Sequence, residues 1–192
     1  NKLMSFYLGI DFGTTGVRTS IIDKNKKELI NFSVSIDDPI SKGSLVYQNP
    51  SLWWNALIKN LTYLKTKIEL NKIERLSIDG TSGTILITDH YGNPLDNALM
   101  YNDASAVKES KLVESISDNH PIVSTSTNAL VRALSLINKL KKEKYRILHQ
   151  ADWIACKIID DYMYSDENNA LKLGYDCICL LYTSDAADDV LC

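Results

Sequence analysis

The chain has 192 residues, of which 45% are apolar and 23% charged, and its net charge is −3. That length can bury one full core, and the composition is that of a folded globular protein without low-complexity tracts. The acidic balance argues against a nucleic-acid surface, and no apolar run is long enough to span a bilayer. The opening residues lack a signal-peptide core, and Cys156, Cys177, Cys179 and Cys192 have neither metal-ligand nor disulfide spacing, so a reducing cytoplasm is the expected compartment.

In chain order, two β-rich runs at 7–12 and 17–22 flank Gly13-Thr14-Thr15-Gly16. Glycines beside hydroxyl residues allow a tight turn whose N–H groups and side-chain oxygens can meet an anion or a hydrated metal. Asp11 adds a carboxylate just before the turn. An ordinary hairpin and a phosphate-binding one both fit this stretch. A third strand over 28–36 would complete an antiparallel meander, and 37–43 reads as loop. From Pro50, the spacing of Leu52, Trp53, Ala56, Leu57, Leu61, Leu64 and Ile68 predicts a helix to about residue 70.

Strands follow at 74–79 and 84–89, separated by Gly80-Thr81-Ser82-Gly83, and an extended run at 99–103 ends on Asn102-Asp103. Helices are expected over 104–117, 129–143 and 153–159, with Asp152 capping the last, and a short one opens at Ser165-Asp166 and stops at Gly174. The cations between 139 and 146 are interrupted by Glu143 and read as a solvated helix end. This order is that of one α/β domain built on a mixed sheet flanked by helices.

Two further clusters carry possible chemistry. Thr81, Ser82 and Gly83 form a hydroxyl-rich turn at a strand end, where α/β sheets place ligands; a plain turn is the alternative. Asn102 and Asp103 are either ligand-facing or a cap for the following helix, and both roles are compatible. His90, His120 and His149 have no ligand spacing and read as surface or loop residues, and Trp53, Trp54 and Trp153 read as packing.

Together these stretches resemble the N-terminal domain of the FGGY carbohydrate kinases. The matching features are Gly9-Ile10-Asp11-Phe12-Gly13-Thr14-Thr15-Gly16, Pro50 with Trp53-Trp54, Asp79 to Thr84, Met100 to Asp103, and Asp152-Trp153 with Ser165-Asp166 and Asn168-Asn169-Ala170-Leu171-Lys172-Leu173-Gly174-Tyr175. The resemblance covers residues 5–176 and is nearest to the D-ribulose kinase, or xylulose-kinase-like, branch. It implies a ribonuclease-H-like, actin-like ATPase fold, and phosphoryl transfer from ATP to a sugar with Mg²⁺ as the metal. By resemblance, Asp11 and Thr14 are catalytic, and Asp11 also meets Mg²⁺ through water. Gly13, Thr14, Thr15 and Gly16 face the nucleotide phosphate, and Asp11, Thr81, Ser82, Gly83, Asn102 and Asp103 face the sugar.

Two departures bear on the substrate. Xylulose kinases typically carry a Gln-Met-His-type segment where Thr81-Ser82-Gly83 stands, and an arginine where Ser105 stands. Glycine and serine cannot replace those contacts, which favours D-ribulose over xylulose, with xylulose kinase or a catalytically inactive sugar-binding module as alternatives. The family's aspartate base and adenine-binding lobe would lie past Asp176, so this stretch alone is expected to be inactive. The small-molecule partner is a sugar; no nucleic acid or membrane partner is expected, and oligomeric state is not legible.

From about Cys177 the character changes. Cys179-Leu180-Leu181-Tyr182-Thr183-Ser184-Asp185-Ala186-Ala187-Asp188-Asp189 resembles the translation of a transposase adapter used in sequencing libraries, so residues 178–192 are expected to be foreign and to pack on nothing. Resequencing the locus should replace this tail with a different continuation; a genome that encodes the same tail refutes the reading.

Overall fold

A computed structural model describes residues 5–116, 124–140 and 144–174. The expected foreign tail, His120, Cys177, Cys179 and Cys192 lie outside these residues.

Strands β1 (Phe6–Phe12), β2 (Gly16–Asp23) and β3 (Glu28–Ser35) form the antiparallel meander that the sequence predicts. Period-two alternation turns Phe6, Leu8, Ile10 and Phe12 of β1 inward and leaves Gly9 and Asp11 on the exposed face. Helix α1 (Pro50–Lys65) covers the inward face with Trp53, Ala56, Leu57 and Leu64. Pro50 sits in its first turn, and the Asn49 side chain caps it by accepting from the Ser51 N–H. The helix stops at Lys65, short of the predicted end near 70. There the Thr66 hydroxyl donates back to the Tyr63 carbonyl, and a 3₁₀ turn at Leu70–Lys72 leads out.

Strand β6 (Ile73–Gly80) then returns parallel to β1 and completes a sheet of order β3-β2-β1-β6. A second sheet contains β4 (Ile40–Lys42), β5 (Leu45–Gln48), β7 (Ile85–Thr88), β8 (Ala98–Leu99) and β9 (Arg146–His149), in the order β4-β5-β8-β7-β9. Residues 37–43, expected as loop, contain β4, because a strand this short carries no readable period. Both faces of β7 are buried. Leu86 joins the core shared with β1 and α1, whereas Ile85 and Ile87 pack on helix α3 (Ala129–Leu140) through Ala129, Ala133 and Leu136.

Helix α2 (Val107–Ile116) starts later than expected, so Asp103 does not cap it. Its carboxylate is fully buried and accepts from the Val46 N–H at 2.7 Å and from the Ser105 hydroxyl at 2.9 Å. Helix α4 (Gln150–Ile159) begins before Asp152, which therefore lies inside the first turn instead of capping it. Asp152 accepts from Ser165 Oγ at 2.6 Å and Asn169 Nδ2 at 3.0 Å, and so ties down the approach to helix α5 (Glu167–Lys172). The short helix is capped by Asp166 and followed by Gly174 at φ 92°, close to the prediction.

Trp53 and Trp153 are buried and meet edge to face at 6.1 Å, as packing residues should. Trp53 Nε1 also donates to Gln48 Oε1 at 2.7 Å. Trp53→Phe keeps the ring but strands that buried oxygen, and should cost about 1–3 kcal/mol. Trp53→Ala should cost about 3–5 kcal/mol. Denaturant melts of the two variants check both values.

Candidate functional site

The parallel register of β1 and β6 sets Asp11 opposite Asp79 and Phe12 opposite Gly80. The Gly13-Thr14-Thr15-Gly16 hairpin and the Gly80–Thr84 turn therefore leave the sheet side by side, at the C-terminal ends of adjacent parallel strands. Ligands of α/β sheets bind at such ends, where the backbone diverges. Thr81 Oγ1 lies 3.3 Å from the Phe12 carbonyl and joins the two loops directly.

The hairpin is held from behind. Gly13 N–H donates to the Gly16 carbonyl at 2.9 Å, Ile36 N–H to the Thr15 carbonyl at 2.9 Å, and buried Gln48 to the Thr14 carbonyl at 3.2 Å. Neither Gly13 nor Gly16 has a left-handed φ, contrary to a purely conformational reading of the two glycines. At Gly16 the constraint is space, since a Cβ there would make a tight 3.2 Å contact with the Val34 carbonyl of β3. Asp11 and Thr15 are exposed, while Gly13, Thr14 and Gly16 are half-buried. Asp11 pairs in register with Asp79 on one side and Arg18 on the other. Asp79 had no assigned role in the sequence reading; only the strand pairing reveals it as Asp11's neighbour.

The Gly80–Thr84 turn places its residues differently. Ser82 is exposed, Thr81 is half-buried and bonded to Gln150, and Gly83 is buried at φ 84°, a conformation that favours glycine. The third cluster comes to the same place. A Cβ on Gly83 would sit 3.7 Å from Tyr101, and exposed Asn102 stands beside it while Asp103 turns inward. The structure thus brings all three predicted clusters together, with Asp11, Ser82 and Asn102 presented outward and Asp103 serving the interior.

What joins the second and third clusters was not read from sequence. Arg132 of α3 is buried, and it donates to the Gly83 carbonyl at 2.7 Å and the Met100 carbonyl at 2.6 Å. Burial lowers its pKa to about 10, with Asp103 opposing the shift, so it stays charged at neutral pH. A guanidinium fork suits two carbonyls on different loops.

Comparison with known proteins places the chain in a family. The model for the FGGY family of carbohydrate kinases, N-terminal domain, matches residues 6–166. The chain belongs to that family. It is 24% identical over 179 residues to a xylulose kinase of Staphylococcus xylosus, covering 87% of this chain and 36% of that protein. A glycerol kinase of Aquifex aeolicus is 27% identical over 150 residues, covering 73% of this chain and 30% of that one. Among solved structures, a xylulose kinase from Rhodospirillum rubrum superposes with a TM-score of 0.79 at 16% identity, over 91% of this chain and 38% of that one. The actin-like kinase fold is thereby shown, and the chain spans about a third of the length of these relatives.

In this FGGY domain, α5 adds a cation that sequence reasoning missed: Lys172 Nζ donates to Ser82 Oγ. Its signal was only a lysine inside the Asn168-to-Tyr175 motif, and helix length alone does not say where it points. His149, expected at the surface or in a loop, ends β9 and is only 2% exposed, while His90 is exposed in a turn as expected. Among the described residues no group of three His, Cys, Asp or Glu side chains could hold a metal, and no helix is long and apolar enough to cross a membrane.

Burial pushes the His149 pKa from 6.5 down to about 4, with Asp152 opposing and Lys172 reinforcing the shift. Between those two values the unfolded chain binds the proton and the folded one does not. The His149 contribution to stability is therefore complete above about pH 6.5 and is lost as pH falls toward 4. Unfolding midpoints should fall across that window, and a His149→Leu variant should lose on the order of 1–3 kcal/mol less over it. An unchanged slope in the variant would contradict this assignment.

Proposed function

We propose that this domain forms one wall of an ATP-dependent carbohydrate kinase, which transfers the γ-phosphoryl group to a ketopentose, with D-ribulose giving D-ribulose 5-phosphate. The observation that carries the reading is the β1–β6 register, which puts the Asp11 hairpin and the Ser82 turn on one edge. Phosphoryl transfer needs positioning and charge stabilisation more than covalent chemistry, and such an edge would supply the positioning.

Asp11 orients the sugar hydroxyl that attacks, and Thr14 with the hairpin backbone faces the transferring group. Ser82 and Asn102 contact the sugar, while Thr81, Gly83 and Asp103 set the shape of the loops that carry them. Mg²⁺ would be held by Asp11 through water, with Asp79 adjacent. Two carboxylates without a third suit an ion that keeps most of its waters. When bound, the ion neutralises charge on the phosphates.

D-ribulose is favoured by the Thr81-Ser82-Gly83 turn, which offers one exposed hydroxyl and close backbone approach where a histidine would demand a different set of sugar contacts. A second reading, xylulose kinase, is supported by the names of several relatives. The protein encoded at the locus, read through past Asp176, should consume ATP faster with D-ribulose than with D-xylulose or glycerol. Asp11→Ala should lower that rate roughly 100-fold or more. Faster turnover of xylulose transfers the assignment to the second reading, and no stimulation by any of the sugars leaves a non-catalytic sugar-binding module.

A further inference from the structure

Gln150, the first residue of α4, is fully buried directly beneath the Gly80–Thr84 turn. Its Oε1 accepts from the Thr81 N–H at 2.8 Å and from the Thr81 hydroxyl at 2.7 Å. Its own backbone N–H donates to the Thr84 carbonyl at 3.0 Å. One residue therefore grips the turn at both ends. The fit is close, since a Cβ on Gly80 would lie 3.1 Å from Gln150 Oε1 and 3.3 Å from Ala151.

The orientation of the amide follows from chemistry. The Thr81 N–H can only donate, so the oxygen of Gln150 must face it and the NH₂ must face away. The Nε2 of Gln150 is thereby turned away from Thr81. The same Thr81 Oγ1 lies 3.3 Å from the Phe12 carbonyl, a more distant alternative acceptor for its single proton, so Gln150 and the hairpin meet at one side chain.

We infer that Gln150 is a positioning residue that sets the Ser82 turn relative to the Asp11 hairpin, and so controls sugar affinity from below without touching the sugar. This rests on the reading of the turn as a sugar site. The test compares Gln150→Met, which keeps the volume but removes the acceptor, with Gln150→Glu, which keeps an acceptor oxygen, in the full-length protein. Gln150→Met should raise the KM for the sugar roughly 5- to 100-fold and leave the KM for ATP unchanged, the loss expected when a buried N–H is stranded. Gln150→Glu should restore most of the sugar affinity.

Hydrogen exchange over residues 80–84 is measured alongside and does not depend on the substrate. It should accelerate in Gln150→Met and return toward the parent rate in Gln150→Glu. Should Gln150→Met fail to fold, Thr81→Val removes one of the two bonds and is read the same way. Unchanged exchange, an unchanged sugar KM, or a glutamate no better than methionine would each overturn the inference. If the parent protein binds no sugar, the kinase reading fails, while the exchange arm still tests the grip.

Discussion

The pairing of β1 with β6 is the constraint on which the site depends. It joins two segments separated by four strands, β2 to β5, and by α1, so it closes a long loop at an entropic cost that local contacts cannot meet. Burial of Trp53, Leu57 and Leu64 against Phe12, Val17 and Ile21 offsets that cost. Because the two strands are parallel, both end at the same edge, and their loops emerge together. An antiparallel pairing would have sent the Ser82 turn to the opposite end of the sheet from Asp11.

Around that edge the loops are shaped by buried polar side chains that bond to backbone. Gln48 holds the Thr14 carbonyl, Arg132 the Gly83 and Met100 carbonyls, Gln150 the Thr81 amide, and Asp103 the Val46 amide. Each carries a desolvation cost that is recovered only when its partner sits at the right distance and angle. Arg132 is the most demanding, since an isolated buried guanidinium would be strongly unfavourable and it is satisfied by carbonyls from two different loops. Loops held this way keep their outward side chains, Asp11, Ser82 and Asn102, on a rigid backing.

Much of this was legible in the residues themselves. The alternation in β1 and β2, the apolar stripe of α1 with Asn49 and Pro50 at its start, and the glycine stop after α5 are local signals, and the structure follows them. The short strands β4, β5 and β8 were not legible, because two to four residues carry no period and depend on neighbours to pair. Asp103 and Asp152 have the residue type of a helix cap, but each found a stronger set of donors across the fold. His149 read as a surface residue because nothing local distinguishes an exposed histidine from one covered by a distant helix. It pairs in register with Ile85 of β7 and lies within electrostatic reach of Lys172 on α5.

The chemistry-bearing clusters and the family they resemble were determined by the sequence alone, since hydroxyl and glycine residues beside strand-ending carboxylates already restrict what the chain can bind. Only the tertiary structure decided which of those residues face outward and which serve the interior, and which neighbours from elsewhere in the chain join them. Asp79 beside Asp11, Lys172 on Ser82, Arg132 across two loops and Gln150 under the turn all come from other elements. Sequence spacing encodes direction within one helix or strand. Distances between elements are set by how whole faces pack, and that information exists only once the core has formed.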